Sequence, residues 1–290
     1  MLTNVLNISL SRLAERHLGC CPMNAERAPL DEAALRADIL GGPVWKTVEV
    51  VDETGSTNSD LIARANSGVP IAGAVLIAEH QTAGRGRQGR GWSAARYAQI
   101  TMSVAIDAAD VPTDAWGWLP LATGVAIVDT VTQLGVDAGL KWPNDVLAGG
   151  GKLAGILAEV ASEQRAVVVG IGLNVSLRGD EVGVDGLTSL VGLGANAPDR
   201  ATVVVGLLGE LGRRVNAWQR ARGADQDLIA DYRARSLTLG MGVRAILPGD
   251  REIVGRAIDI DDQGRLTIER DDTTVTVAAG DIVHLRPADG

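Results

Sequence analysis

Two short stretches of this chain concentrate the residues best able to hold an anion. The first, GRGRQGRGW at 84–92, carries Arg85, Arg87 and Arg90, with Arg96 close behind. No Asp or Glu occurs between Glu79 and Asp107, although the protein as a whole has a net charge of −9. Guanidinium groups bind phosphate and carboxylate through paired N–H donors, and the glycines allow close backbone approach to the same ligand. The second stretch, KWPNDVLAGGGKLAGI at 141–156, contains two of the three lysines among the 27 Lys and Arg of the chain. A sequence that otherwise uses arginine, yet has lysine at Lys141 and Lys152, points to a compact charge able to bridge two oxyanions, a task to which a planar fork is less suited. Lys152 follows three glycines and precedes an apolar run, so it either projects between two anionic groups or simply marks a strand entrance. Asn144-Asp145, read alone, is a turn.

Two familiar phosphate-binding patterns do not fit. Gly84, Gly86 and Gly89 match the spacing G-x-G-x-x-G, but 99–106 reads as a strand where a dinucleotide site needs a helix, and the nearest downstream acid is Asp107. Lys152 is followed by Leu153, which excludes a G-x-x-x-x-G-K-[ST] phosphate loop. The plain alternative for 84–92 is a hairpin loop with a solvated basic tip.

The elements that must position these stretches follow from periodicity. A helix is expected at 30–40, with Asp31 at its N-cap and Gly41-Gly42 as its stop. A strand at 45–51 leads into Ser56-Thr57-Asn58, which opens a helix to 66 with Thr57 and Asp60 at capping-box spacing. Strands are expected at 73–79 and 99–106 on either side of the arginine loop, and a long, mostly buried helix over 115–134. Strands at 139–142, 153–161 and 166–175 follow, the first two joined by a loop through Gly149, Gly150 and Gly151. Helices at 199–219 and 225–235 come next. After Leu239-Gly240 five short strands, at 242–247, 252–258, 265–269, 273–277 and 281–285, suggest a small barrel docked on the main domain. Residues 1–24 read as a weakly amphipathic, disordered extension, with Met23 a candidate true start.

Composition bounds the function classes. A 46% hydrophobic chain of 290 residues can hold a large and a small domain. Its acidity argues against a nucleic-acid partner, because duplex binding draws on phosphate neutralisation. Cys20 and Cys21 are adjacent and alone, and no Cys/His spacing suits zinc, so a reducing cytoplasm is the expected location. No run of about 18 apolar residues is present to span a membrane, and the start of the chain lacks a signal-peptide pattern.

GRGRQGRGW, KWPND, GKLAGI and VVVGIGLNVS at 167–176, with Ser56-Thr57-Asn58 upstream, resemble in order and spacing the biotin protein ligases, from about 45 to 286. The resemblance implies an α+β fold: a mixed β-sheet flanked by helices, related to class II aminoacyl-tRNA synthetases, with an SH3-like C-terminal domain. The implied boundaries are 25–238 for the catalytic domain and 239–290 for the small one. It further implies two half-reactions. Biotin carboxylate attacks the α-phosphate of MgATP to give biotinyl-5′-AMP, and a lysine amine of a biotin carboxyl carrier protein or domain then attacks that adenylate.

On the family pattern, Arg85, Gly86 and Arg87 contact biotin and the adenylate phosphate, and Lys152 sits by the biotin carboxylate and α-phosphate. Gly84 and Gly155 belong to the same implied binding set. Ser56, Thr57, Asn58 and Gln81 would hydrogen-bond the ureido ring, Ser56 and Thr57 having helix capping as a plainer role. Trp92 stacks near adenine or packs in the core, and Asn174 would contact the nucleotide. Asp145 would receive and orient the substrate lysine, act as its base, or touch metal directly; no residue is assigned as a metal ligand. The glycines of 84–92 suit a loop that orders over the ligand. Three other readings remain: a lipoate or octanoyl ligase, a ligase that also represses transcription, for which 25–44 lacks a winged helix-turn-helix pattern, and a silent biotin binder.

Overall fold

The structure, a computed structural model, describes residues 27–93, 95–195, 199–249, 251–271, 273–282 and 284–288. The expectations for residues 1–24, Met23 and the two cysteines fall outside these.

The chain enters through α1 (Glu32–Ile39), whose N-cap Asp31 accepts from the Ala33 and Ala34 amides and which buries Leu35 and Ile39. Strand β1 (Thr47–Thr54), helix α2 (Thr57–Asn66) and strand β2 (Ala74–Gln81) form a parallel β-α-β unit. Strand β3 (Gln99–Asp107) returns antiparallel to β2. After α3 (Trp118–Gln133) come β4 (Ala138–Lys141), β5 (Asp145–Ala148), β6 (Gly151–Ala161) and β7 (Ala166–Asn174). These seven strands make one mixed sheet in the order β1-β2-β3-β7-β6-β5-β4. A short α4 (Gly179–Val182), then α5 (Arg200–Ala221) and α6 (Gln226–Arg235), complete the first half.

Side-chain alternation along β3 decides which face does what. Ile100, Met102, Val104 and Ile106 join the core cluster shared with α3 and α5, while Ala105 joins a smaller cluster under α2. Thr101 and Ser103 share the face of Ala105 and are buried, so their hydroxyls need partners: Thr101 donates to the Ala78 carbonyl and Ser103 to Asn58 on α2.

The last five strands, β8 (Gly242–Leu247), β9 (Arg251–Ile260), β10 (Leu266–Arg270), β11 (Thr273–Val277) and β12 (His284–Pro287), form an antiparallel sheet in the order β11-β10-β9-β8-β12. It docks on the first half through indole donors, Trp118 Nε1 to Asp262 O at 2.9 Å and Trp142 Nε1 to Gly264 O at 3.2 Å. A two-pronged contact between Arg233 and Asp259, at 2.8 Å for each prong, adds to this.

Two local expectations need correction. Residues 145–148 are a strand, β5, within what reads as loop; the turn-forming Asn144-Asp145 and the three glycines that follow leave too short an apolar stretch between them to register. The β5–β6 ladder slips between Val146 and Leu147, so that Asp145 faces Gly155 but Leu147 faces Lys152. The cap of α2 is Ser56, accepting from the Ser59 amide, and the Thr57–Asp60 box is not formed because Asp60 accepts from Thr54 and Thr57 turns inward.

One buried ion pair ties the entry segment to the sheet. Arg200 on α5 lies 2.7 Å from Glu79 on β2, with side chains only 8% and 4% exposed. Arg200 also donates to the carbonyls of Gln99 and Ala28, and Glu79 accepts from the Leu30 amide. Removing one member of such a pair leaves an uncompensated buried charge. Arg200→Ala is therefore expected to lower the unfolding free energy by about 3–5 kcal/mol, measured by urea denaturation followed by circular dichroism.

Candidate active site

The start of α2, the end of β2, the loop after it and the central strands β5, β6 and β7 enclose a cavity of about 270 Å³. Its floor is made of glycine. Trp92 lies flat on β6 and β7, and an added Cβ at Gly172 would stand 2.3 Å from Trp92 Cε2; one at Gly155 would stand 2.9 Å from Cζ3. No side chain fits under the indole, which is why these two strand positions are glycine.

The slip in the β5–β6 ladder places the lysine. In a regular ladder Lys152 would point to the face opposite Gly155, because alternate residues face opposite ways. The extra residue reverses this parity. The Lys152 side chain therefore reaches over Gly155, 3.2 Å from the position of an added Cβ there, and its Nζ stands 2.6 Å from Asp145 Oδ1. Leu153 points into the core instead. The Lys152 ammonium also sits 5.5 Å from the centre of the Trp92 ring, within cation–π range.

The arginines of the loop have separate destinations. Arg85 pairs with Glu159 at 3.0 Å and donates to Ser59 at 3.2 Å. Arg87 lines the cavity yet spends its donors on Asn144 Oδ1 at 3.4 Å and on the carbonyls of Ala279 and Ile282 beneath the second sheet. Burial holds the Arg87 guanidinium below its ordinary value, with the charge of Arg90 acting in the same direction and Asp145 opposing. Arg96 turns away to Asp52 and Glu53, outside the cavity.

The other end is polar and almost dry. Ser56, Thr57 and Asn58 are 5%, 2% and 3% exposed and line the cavity with Gln81. Gln81 Oε1 accepts from the Thr57 amide at 2.8 Å, and the Thr57 and Ser103 hydroxyls lie 2.6 Å apart.

Of the residues singled out by sequence, Ser56, Thr57, Asn58, Gln81, Arg85, Gly86, Arg87, Trp92, Asp145, Lys152 and Gly155 line one cavity. Gly84 lies just behind, accepting from the Trp92 amide at 2.8 Å and closing the loop. Asn174, expected at the nucleotide, is fully buried and its amide is engaged inside the protein. It donates to the carbonyls of Lys152 and Thr188 and accepts from Gln99 at 2.7 Å, at the edge of the cavity on the face of Gly172. Sequence reading missed Gln99, Asn144 and Gly172 on the lining and Glu159 behind it. Asn144 and Gly172 carried a local signal, their places in KWPND and VVVGIGLNVS.

One wall is the segment after β7, which contributes Val184 and Leu187. It is pinned on one side by Lys152, whose amide donates to Gly186 O at 2.7 Å, and on the other by Arg27, which grips Glu181 with two donors at 2.8 Å. Arg27 pulls the Glu181 carboxyl down to about 2.

Comparison with known proteins agrees with this geometry. Residues 50–176 match the model of the biotin/lipoate A/B protein ligase family, and 238–285 that of the biotin protein ligase C terminal domain. The chain is 57% identical over 265 residues to a biotin–[acetyl-CoA-carboxylase] ligase of Mycobacterium tuberculosis, spanning 90% of this chain and 97% of that protein. It is 33% identical over 260 residues to the bifunctional ligase/repressor BirA of Escherichia coli, spanning 87% and 78% respectively. A biotin protein ligase from Aquifex aeolicus, solved in complex with biotin and ATP, superposes with a TM-score of 0.71 at 24% identity over 84% of this chain and all 100% of that one, so the fold is shared.

Two outcomes are expected. Gly172→Ala should displace Trp92, cost about 1–3 kcal/mol by denaturant unfolding as overpacking does, and speed hydrogen exchange in 84–92. Because the Glu181 carboxyl is held at about 2 against an ordinary 4.5, its pairing with Arg27 stabilises the fold fully above pH 4.5 and is lost as pH falls towards 2. Glu181→Gln should flatten that part of the melting-temperature profile.

Proposed function

The chain belongs to the biotin protein ligase family, and on that premise we propose how its own residues carry the two half-reactions. It activates biotin as biotinyl-5′-AMP and transfers the biotinyl group to acetyl-CoA carboxylase, at a lysine of the biotin carboxyl carrier protein or domain. The observation that carries the assignment of roles is a single cavity with a donor-and-acceptor wall at one end and a lysine–carboxylate pair beside a cationic loop at the other.

In the first half-reaction an anion attacks an anion. Two like unit charges about 4 Å apart repel by roughly 4 kcal/mol at an effective dielectric near 20. On this reading Lys152 and Arg85 offset the repulsion, Lys152 bridging the carboxylate and the α-phosphate. A carboxylate oxygen forms the bond to phosphorus and pyrophosphate leaves. Each cation gives up a partner on the protein, Asp145 or Glu159, in exchange for a ligand oxygen. Among the described residues no group of three or more His, Cys, Asp or Glu could hold a metal. Asp145 is the single carboxylate on the lining, its Oδ1 buried without an aligned hydrogen bond. That is enough for Mg²⁺ arriving as part of MgATP, which needs one or two protein oxygens besides its phosphates.

In the second half-reaction the acceptor lysine must lose a proton before its nitrogen attacks the acyl carbon and AMP departs. Asp145 already holds one ammonium, that of Lys152, at 2.6 Å. Once Lys152 has turned to the adenylate, Asp145 is free to receive the acceptor's ammonium, orient it and take its proton. The wall bearing Val184 and Leu187, together with the loop 84–92, would keep water from the mixed anhydride until the acceptor docks.

ATP-dependent transfer of one biotin to a purified biotin carboxyl carrier domain, read by mass spectrometry with lipoate as a parallel substrate, tests the reading. A lipoyl adduct in place of the biotin one would overturn it. Asp145→Asn should slow transfer from preformed biotinyl-5′-AMP by about 100-fold, the lower end for a lost general base; an unchanged single-turnover rate would remove Asp145 from the step.

A further inference from the structure

Behind the cavity lining one acid reaches residues at both of its ends. Glu159 on β6 accepts from Asn58 Nδ2 at 2.9 Å and pairs with Arg85 at 3.0 Å. Its link to Asn58 continues into a chain of buried groups whose hydrogens can be assigned one after another, because each has few to give.

A carboxylate only accepts, and so does a main-chain carbonyl. Glu159 Oε2 and Leu157 O, at 2.9 and 3.2 Å, together take both hydrogens of Asn58 Nδ2. Asn58 Oδ1 is thereby turned to Ser103 Oγ, 2.6 Å away, and must receive its hydrogen. Ser103 has then spent its only hydrogen. Its 2.6 Å contact with Thr57 Oγ1 can be filled only by the hydrogen of Thr57. Thr57 is left facing the cavity with lone pairs alone, an acceptor. Gln81 Oε1 is fixed independently by the Thr57 amide at 2.8 Å, so its Nε2 turns to the side of Gly84 as a donor. The wall thus offers an acceptor and a donor side by side, the complement of a ureido N–H and its carbonyl. Gly170 admits the arrangement, since a Cβ there would stand 2.4 Å from Asn58 Oδ1. Ser103 is wholly buried, so no bulk water competes for its hydrogen.

We propose that Glu159 is a positioning residue that sets the direction of the Asn58–Ser103–Thr57 relay and, through it, makes Thr57 an acceptor for a ureido N–H. This deepens the reading of the same site as a biotin site and rests on it. The charge matters because a hydrogen bond to an ionised acceptor is roughly twice as strong as a neutral one. An amide in its place can present a donor, which leaves only the longer contact to Leu157 O at 3.2 Å to oppose the reverse relay: Asn58 Nδ2 to Ser103, Ser103 to Thr57, and the Thr57 hydrogen to Gln81 Oε1 at 3.1 Å or to the ligand.

The test compares the affinity for biotin with that for its two cyclic carbamate analogues, in each of which one ureido N–H is replaced by a ring oxygen. Titration calorimetry is run on wild type, Glu159→Gln, Ser103→Ala and the double variant. Ser103→Ala breaks the relay without touching the Arg85–Glu159 pair or the cavity lining, and it can overturn the relay even if Glu159→Gln does not fold. Wild type is expected to prefer biotin to one of the carbamates by about tenfold or more, as for a buried acceptor left without its donor. Either variant should cut that preference to about threefold or less, and the double variant should cut it no further, since both act on one chain. An undiminished preference in Ser103→Ala overturns the relay alone; wild-type protein that binds no biotin overturns both the relay and the functional reading beneath it.

Discussion

Lys152 meets Asp145 only because the β5–β6 ladder carries one residue too many on the β6 side. Remove the slip and the lysine points to the opposite face of the sheet, into the space that Leu153 fills within the hydrophobic core. A bulge therefore does what no change of residue type could do at this position: it brings two consecutive residues, one charged and one apolar, each to its proper side. The surroundings follow from that placement. Gly155 and Gly172 must lack side chains so that Trp92 can lie under the ammonium, and Gly84 must accept from Trp92 to bring the loop back over the sheet. Asn174, held by Gln99 on the same face, donates to the Lys152 carbonyl and fixes the main chain there.

The same logic explains how much of this was legible in the sequence. The arginine loop and the lysine segment stood out by composition, and every strand and helix with enough residues to show a period was found where expected. Two strands of the first sheet, one edge strand and one beside the other edge, were harder. Strand β1 runs on through Asp52, Glu53 and Thr54, polar residues that read as loop but pair with β2 at Glu53–His80 and Thr54–Gln81. Charged residues on an edge strand discourage pairing with other chains, so here polarity concealed a strand. Strand β5 was too short to register, and a bulge leaves no trace in alternation beyond a broken period. Glu159 was unreadable for another reason: its partners Arg85 and Asn58 are some 74 and 101 positions away in the chain, and only the sheet order β3-β7-β6 brings them together.

Arg87 shows the limit of transferring a residue's role from a motif. Its neighbours in the loop face the cavity, yet its guanidinium crosses to the carbonyls of Ala279 and Ile282, 192 and 195 positions downstream. Main-chain carbonyls that cap the approach to β12 would otherwise need water, and a half-buried cation satisfies two of them at once. The loop is thus fastened to the second sheet by the group that the family pattern assigns to the ligand. A guanidinium has five donors, and one that is partly engaged can still offer an edge to phosphate, so the two roles are compatible on donor count. What the tie adds is a direct bond from the loop to the C-terminal segment, which is also joined to the body through indole donors, the Arg233–Asp259 pair and a shared hydrophobic cluster.

The remaining question is why an acidic protein keeps a cationic site ready at all. Cations left bare in a partly buried cavity would repel one another and raise the energy of the folded state, as Arg90 already does to Arg87. Each is instead given a resting partner, Asp145 for Lys152, Glu159 for Arg85 and two carbonyls for Arg87. The ligand's affinity is then a difference between the bond it offers and the one it displaces, which lowers binding but preserves selectivity. An anion with one weak oxygen gains little by the exchange, whereas a carboxylate and a phosphate presented together can satisfy several cations at once. On the proposed reading the acid released by that exchange is Asp145, uncovered once the lysine beside it has moved to the adenylate. A site built from neutralised pairs can in this way time its second half-reaction by its first, with no moving part larger than a side chain.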